Sequence, residues 1–189
     1  MNEDESTQTL SDKVLDRGNV LTFPRPRRLH LRPEVPLGDA AAHLPRRTWE
    51  AWLRRPEDTL DPDTRTQMRE AIDELNGALS AVQRAVGHRV MQAMERYVAN
   101  HPRVCGPASR ELTLEDWRMP FEDQLVQKVM PKLRGVSVDS KAGRRCLDGV
   151  RAVLERSAAG LVGDFERARS ESQGAFVWNQ SSYLEEGGG

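Results

Sequence analysis

Past residue 60 the apolar residues recur at helical spacing. Met68, Ile72, Leu75, Leu79 and Val82 alternate in steps of four and three, one stripe of a 3.6-residue helix. This predicts a helix over 63–83, capped by Asp63 or Thr64, with Gly77 costing about 1 kcal/mol relative to alanine. A second helix is predicted over 88–100 from Val90, Met91, Met94, Tyr97 and Val98, ending at a loop marked by Pro102, Gly106 and Pro107. A third, over 121–134, carries Phe121, Leu125, Val126, Val129, Met130 and Leu133. Pro131 lies inside it and lacks a backbone donor, so a kink is expected near Gln127, with Gly135 as the C-cap. Residues 136–145 read as polar loop. The helical rhythm returns over 144–168 through Leu147, Val150, Leu154, Leu161 and Phe165, interrupted by Gly160 and Gly163.

The N-terminal third is patterned differently. Ser11 suits an N-cap for a short helix burying Val14 and Leu15, and NVLTF (19–23) suits a short strand. Residues 24–47 are broken by Pro24, Pro26, Pro33, Pro36 and Pro45, which exclude long helices. RRTWEAWLRR (46–55) predicts a short helix with Trp49, Trp52 and Leu53 on one side, packing the linker onto the core or, alternatively, stacking on a base. Near the other end, GAFVW (174–178) reads as a short strand or an extended docking segment, and EEGGG (185–189) as a frayed tail.

Composition narrows the picture. Apolar content is 38%, charged content 30% and aromatic content 5%, which fits a helical, surface-rich and partly compact chain. A net charge of -1 gives no reason to expect a general phosphate-binding surface. Arg25, Arg27, Arg28 and Arg32 form a local basic cluster, a phosphate-binding patch or a solvated linker. Cys105 and Cys146 make neither a disulfide framework nor a zinc set, and no histidine adjoins them. A cytoplasmic, reducing location is expected. The start is acidic, unlike a signal peptide, and no apolar run nears the roughly 18 residues that span a membrane.

Chemistry is sparse. No stretch fits G-x-x-x-x-G-K-[ST], whose backbone donors and lysine cradle phosphates. G-x-S-x-G, H-E-x-x-H and G-x-G-x-x-G are also missing, and no metal site is indicated. The acid pairs Asp73 and Glu74, Glu115 and Asp116, and Glu122 and Asp123 read as solvated or dipole-complementing groups at helix starts and surfaces. The residues alone indicate a mainly helical module with an extended N-terminal segment and no self-contained active site.

Four stretches carry a resemblance. Residues 1–23, MNEDESTQTLSDKVLDRGNVLTF, are similar to a run M/V-N-x-D-E-S/T followed by K-V-L-D-R-A-N-V and a strand. GHRVMQAMERYVAN (87–100) is similar to an F-G-Y-R-V helix opening, and FEDQLVQKVMPKLRG (121–135) to L-Q-I-L-Q-K-V-L-P-K-L-H-G, proline included. GAFVW stands where a short G-F-V-type extension is usual. In this order they resemble the C-terminal portion of the McrB-like AAA-type NTPases of DNA restriction. The chain departs from that pattern at Gly18, where alanine is usual, and at Val86 and His88, where Phe and Tyr are usual. The proline-rich insertion also lies outside the pattern.

The resemblance implies a mainly α fold: the helical lid subdomain of an AAA-type ATPase or GTPase, with a short remnant of the α/β nucleotide core at the N-terminus. Residues 1–23 would end the core, 24–60 form a linker or insertion, 61–170 the lid, and 171–189 an extension and tail. The chain would be a fragment of a longer motor, and alone would bind no nucleotide. The parent would use GTP or ATP with Mg2+, form a hexameric ring, power a partner endonuclease, and meet DNA only indirectly. By position, Asn2 matches a sensor-1 residue that orients the attacking water, Arg17 an arginine finger acting in trans, and Arg89 a sensor-2-like group. Each has a plainer reading. Asn2 suits a turn, Arg17 a helix C-terminal cation, and Arg89 a surface position, although a cation is mildly unfavourable at a helix start. The alternative for the whole chain is a stand-alone helical interaction module without activity. A lid parted from its core would also leave apolar surface exposed.

Overall fold

The computed structural model describes residues 12–21, 43, 45–105 and 117–178. Among these the chain is mainly helical, without a β-strand. The helices are α1 (Asp12–Arg17), α2 (Arg46–Trp52), α3 (Pro56–Thr59), α4 (Pro62–Ser80), α5 (His88–Asn100), α6 (Pro102–Cys105), α7 (Arg118–Gln124), α8 (Met130–Leu133), α9 (Lys141–Ser157) and α10 (Val162–Ser170). A π-helical turn, Leu125–Val129, joins α7 to α8, and a 3-10 turn, Ala159–Leu161, precedes α10.

The stripe on α4 is buried as its spacing predicts, at Met68, Ile72, Leu75 and Leu79, while Val82 lies past the helix end and is half-buried. The cap is Asp61 rather than Asp63 or Thr64. Its Oδ1 accepts the Thr64 N–H at 2.9 Å, and Pro62 fills the first helical position, where a missing N–H costs nothing. The Asp61 carboxyl is held below its usual value, chiefly by hydrogen bonding from Thr64. The longest packing contact is α4 against α9. They approach closely at Gly149, where a Cβ would lie 2.8 Å from Ala78 Cβ. The helix α9 begins inside the segment expected to be loop. Ser140 Oγ accepts the Gly143 N–H at 3.0 Å, so an N-cap starts the helix before its first apolar residue.

The remaining helices complete one core. Val90, Met94 and Val98 of α5, Phe121 of α7, Leu125 of the π-helical turn, Leu147, Val150 and Leu154 of α9, Leu161 and Phe165 all join it. GAFVW docks as an extended segment. Phe176 is fully buried, with its ring 5.2 Å from that of Phe165. Gly135 N donates to Phe176 O at 2.9 Å, Phe176 N to Val136 O at 2.8 Å, and Val138 N to Gly174 O at 3.1 Å. The C-cap of α8 is Arg134 rather than the expected Gly135, which takes φ +77 in the following turn, closed by Val136 N donating to Leu133 O at 3.0 Å.

Three expectations for the N-terminal part change. In α1 Leu15 is buried but Val14 is 46% exposed, because α1 presents one side to α5 and α8 and has nothing described on the other. Residues 19–21 form no strand, and Thr22 and Phe23 lie outside the described residues. Trp49 and Leu53 are exposed rather than packed onto the core. The end of α2 is tied to α5 by polar groups instead: Arg54 N donates to Asn100 Oδ1 at 2.7 Å and Asn100 Nδ2 to Arg54 O at 2.9 Å. The Trp52 side chain lies outside the described residues.

Candidate functional site

The most unusual chemistry lies where α1 meets α8. Pro131 has no N–H, so the Gln127 carbonyl four residues before it loses its ordinary helical donor. The backbone answers with the π-helical turn, in which Met130 N donates to Leu125 O, five residues back. The kink expected near Gln127 is thus absorbed as a wider turn. The Gln127 carbonyl takes a donor from far along the chain, Val20 N at 3.2 Å.

Two lysines one turn apart complete the contact. Lys128 Nζ donates to Gly18 O at 2.6 Å, and Lys132 Nζ is 2.7 Å from Asp16 Oδ1. Both lysines are buried, Lys132 at 1% exposure. Buried lysines are rare unless paired, and here both face the C-terminal end of α1, where unpaired carbonyls favour a cation. Burial pushes the Lys128 ammonium below its usual pKa, Asp16 pulls it back up, and Lys132 pushes it down. On the far side of the same stretch, Arg84 Nη1 donates to Lys132 O at 2.6 Å and to Arg134 O at 2.5 Å, closing the end of α8.

The residues singled out by resemblance sit around this contact unevenly. Arg17 is exposed on α1, between Asp16 and Gly18, which are both held. Arg89 is exposed in the first turn of α5. Among the described residues neither makes an ion pair. Asn2 lies outside the described residues, as do Arg25, Arg27, Arg28 and Arg32.

The acid pairs hold structure together more than solvation alone required. Glu122 Oε1 accepts the Gly160 N–H at 3.0 Å, and burial raises its carboxyl above the usual value. Asp123 Oδ2 accepts from Tyr97 Oη at 3.3 Å and lies 3.9 Å from His101 Nε2. Glu74 pairs with Arg156. Glu115 and Asp116 lie outside the described residues. Cys146 is buried, which pushes its thiol up to about 11 and leaves it unreactive at neutral pH. No three His, Cys, Asp or Glu side chains group as metal ligands among the described residues. A recess of about 130 Å³ between α4, Trp117 and the end of α9 is well below the roughly 300–1,000 Å³ of ordinary small-molecule sites.

Sequence reasoning missed Lys128, Lys132 and Gln127, because charged and amide side chains are read as exposed by default. The usable signal was Pro131 in an apolar stripe flanked by two lysines at helical spacing. A family described as Domain of unknown function (DUF8727) matches residues 42–173. No curated protein and no solved structure matches the chain.

Proposed function

The chain belongs to the DUF8727 family, and since that family's description assigns no activity, we propose a function from the residues themselves: this is the lid and finger-bearing part of a McrB-like AAA-type NTPase motor. One observation carries the reading. The two stretches with the most distinctive resemblance, DKVLDRGNV and QKVMPKL, are separated by about a hundred residues and contact each other through Lys128 with Gly18, Lys132 with Asp16, and Gln127 with Val20. Two stretches that share the family resemblance and meet in space fit a core end seated on its lid.

The exposed apolar residues support the same reading. Among the described residues the exposed large hydrophobic side chains are Val14, Leu21, Trp49 and Leu53, the first two in the stretch read as the end of the nucleotide core and the other two in the linker that follows it. Residues 62–170 leave no such side chain bare among those described. In this reading the substrate nucleotide, GTP or ATP with Mg2+, is held by segments the present sequence does not contain. Water attacks the terminal phosphorus, the nucleoside diphosphate leaves, and Arg17 reaches the neighbouring subunit's site in a hexameric ring to neutralise the charge that develops on the phosphoryl oxygens. Arg89 senses the nucleotide from the lid, and Asn2 orients the water. The ring would drive a partner endonuclease in DNA restriction, and the protein would work in the cytoplasm.

The first test is the coding DNA upstream of Met1. An in-frame segment encoding G-x-x-x-x-G-K-[ST] is expected, and a stop codon directly upstream would sink the motor reading. In the longer protein, Arg17→Ala should lower hydrolysis by about 10³-fold or more while nucleotide binding persists. Mixing those subunits with subunits lacking the phosphate-loop lysine should restore part of the activity, because the finger acts in trans. A second reading, the stand-alone helical interaction module, is favoured by one fact: the family match covers the helical body and excludes α1. A cooperative monomeric fold with no upstream frame would select it.

A further inference from the structure

We infer that Pro131, the Gln127 carbonyl, Lys128 and Lys132 form a docking platform that positions Arg17, so that movement of the helical body is passed to the finger. The inference rests on the motor reading for its function, but its physics does not depend on nucleotide. In an uninterrupted helix the residue at 131 would donate to the Gln127 carbonyl, leaving Val20 nothing to bind. A proline there keeps the acceptor open. The π-helical turn is the backbone cost of that arrangement, and such turns recur at functional positions.

The platform grips the end of α1 and the residues that follow it at three alternate positions. Asp16 is held by Lys132, the Gly18 carbonyl by Lys128, and the Val20 amide by Gln127. These alternate around Arg17 and Asn19, whose side chains are exposed. Leu15 supplies the one buried apolar side chain of α1. The grip is therefore mostly polar, made of directed contacts rather than broad apolar burial. Such a contact sets orientation sharply and lets go as a unit, which suits a coupling element. Lys128, Lys132 and the Gln127 carbonyl are positioning groups; they hold the segment that carries the finger and do not meet substrate.

The platform is tested on the full chain by NMR. A through-hydrogen-bond coupling between Val20 nitrogen and the Gln127 carbonyl carbon is expected in the native protein, with the Arg17 amide as ordered as those of α9. Pro131→Ala returns an N–H to the helix. It should abolish that coupling, speed hydrogen exchange at Val20 by about tenfold or more, and loosen Arg17, while exchange in α9 is unchanged. Persistence of the coupling and of Arg17 order in this variant would overturn the proposal, as would simultaneous loss of protection in α1 and α9. Lys128→Met leaves the helix backbone intact and provides the second test. It should loosen Gly18 and Arg17 without disturbing α9, and Lys128→Arg should recover the order. An unaltered α1 in Lys128→Met would count against the platform. Failure of these tests leaves the upstream-frame and Arg17→Ala tests standing, and the converse also holds.

Discussion

His101 shows how a single side chain can set a pH response. Its Nδ1 accepts the Arg103 N–H at 3.2 Å, its Nε2 faces Asp123 at 3.9 Å, and its ring lies 5.8 Å from that of Tyr97. Burial lowers its pKa below the usual 6.5, Asp123 opposes the shift, and Arg103 adds to it. The folded state therefore binds fewer protons at His101 than the unfolded chain does. Its stabilising contribution is complete above pH 6.5 and is lost as pH falls through the lower folded value. Glu122 runs the opposite way: its raised carboxyl stabilises when protonated, and that contribution is lost as pH rises through its folded value. Urea unfolding at pH 7.5 and 5.5 should show a smaller loss of stability on acidification in His101→Gln than in the native protein. Equal losses would remove His101 as the cause. None of this was legible in the sequence, which placed the four histidines far apart and left Asp123 on a surface. The pairing needs α5 and α7 to be packed first.

At the scale of elements, Gly77 of α4 and Gly149 of α9 have opposite consequences. Gly77 is exposed, and a Cβ there meets nothing within 4 Å. Gly77→Ala should therefore gain about 0.5–1 kcal/mol from helix propensity alone. Gly149 faces Ala78 at a distance no pair of Cβ atoms tolerates. The same propensity gain is available there, but parting two packed helices costs about 1–3 kcal/mol, so Gly149→Ala should be destabilising. Chemical denaturation of the two variants, compared for sign, checks the pairing of these helices. Helix periodicity was legible because apolar stripes repeat every turn: Met68 to Leu79 and Leu147 to Phe165 were both placed correctly. Helix starts were less legible. The α9 start lies in SKAGRR, which has the polar look of a loop until Ser140 is seen to cap it. The proline in 121–134 announced a disturbance, yet not that the freed Gln127 carbonyl takes its donor from Val20, a partner that periodicity cannot locate.

Taken whole, the described molecule is a helical body whose core draws on residues from Leu60 to Phe176. Its mainly helical class was legible from spacing alone, and no described helix is long and apolar enough to cross a membrane. The seat of α1 was not legible, because it depends on contacts between Lys128 and Gly18 that lie 110 positions apart. Phe176→Ala should cost about 3–5 kcal/mol, seen as a lower denaturation midpoint, because it empties a filled site beside Phe165. A variant as stable as the native protein would show the docked segment to be dispensable. The position of Phe176 also bears on synthesis. The α4 helix emerges from the ribosome before α9, its most extensive partner, and before the docked GAFVW segment, so its apolar stripe waits without α9 while the intervening segment 81–140 is translated. A nascent chain stalled before Phe176 would therefore be expected to attract chaperones and proteases that the folded body escapes.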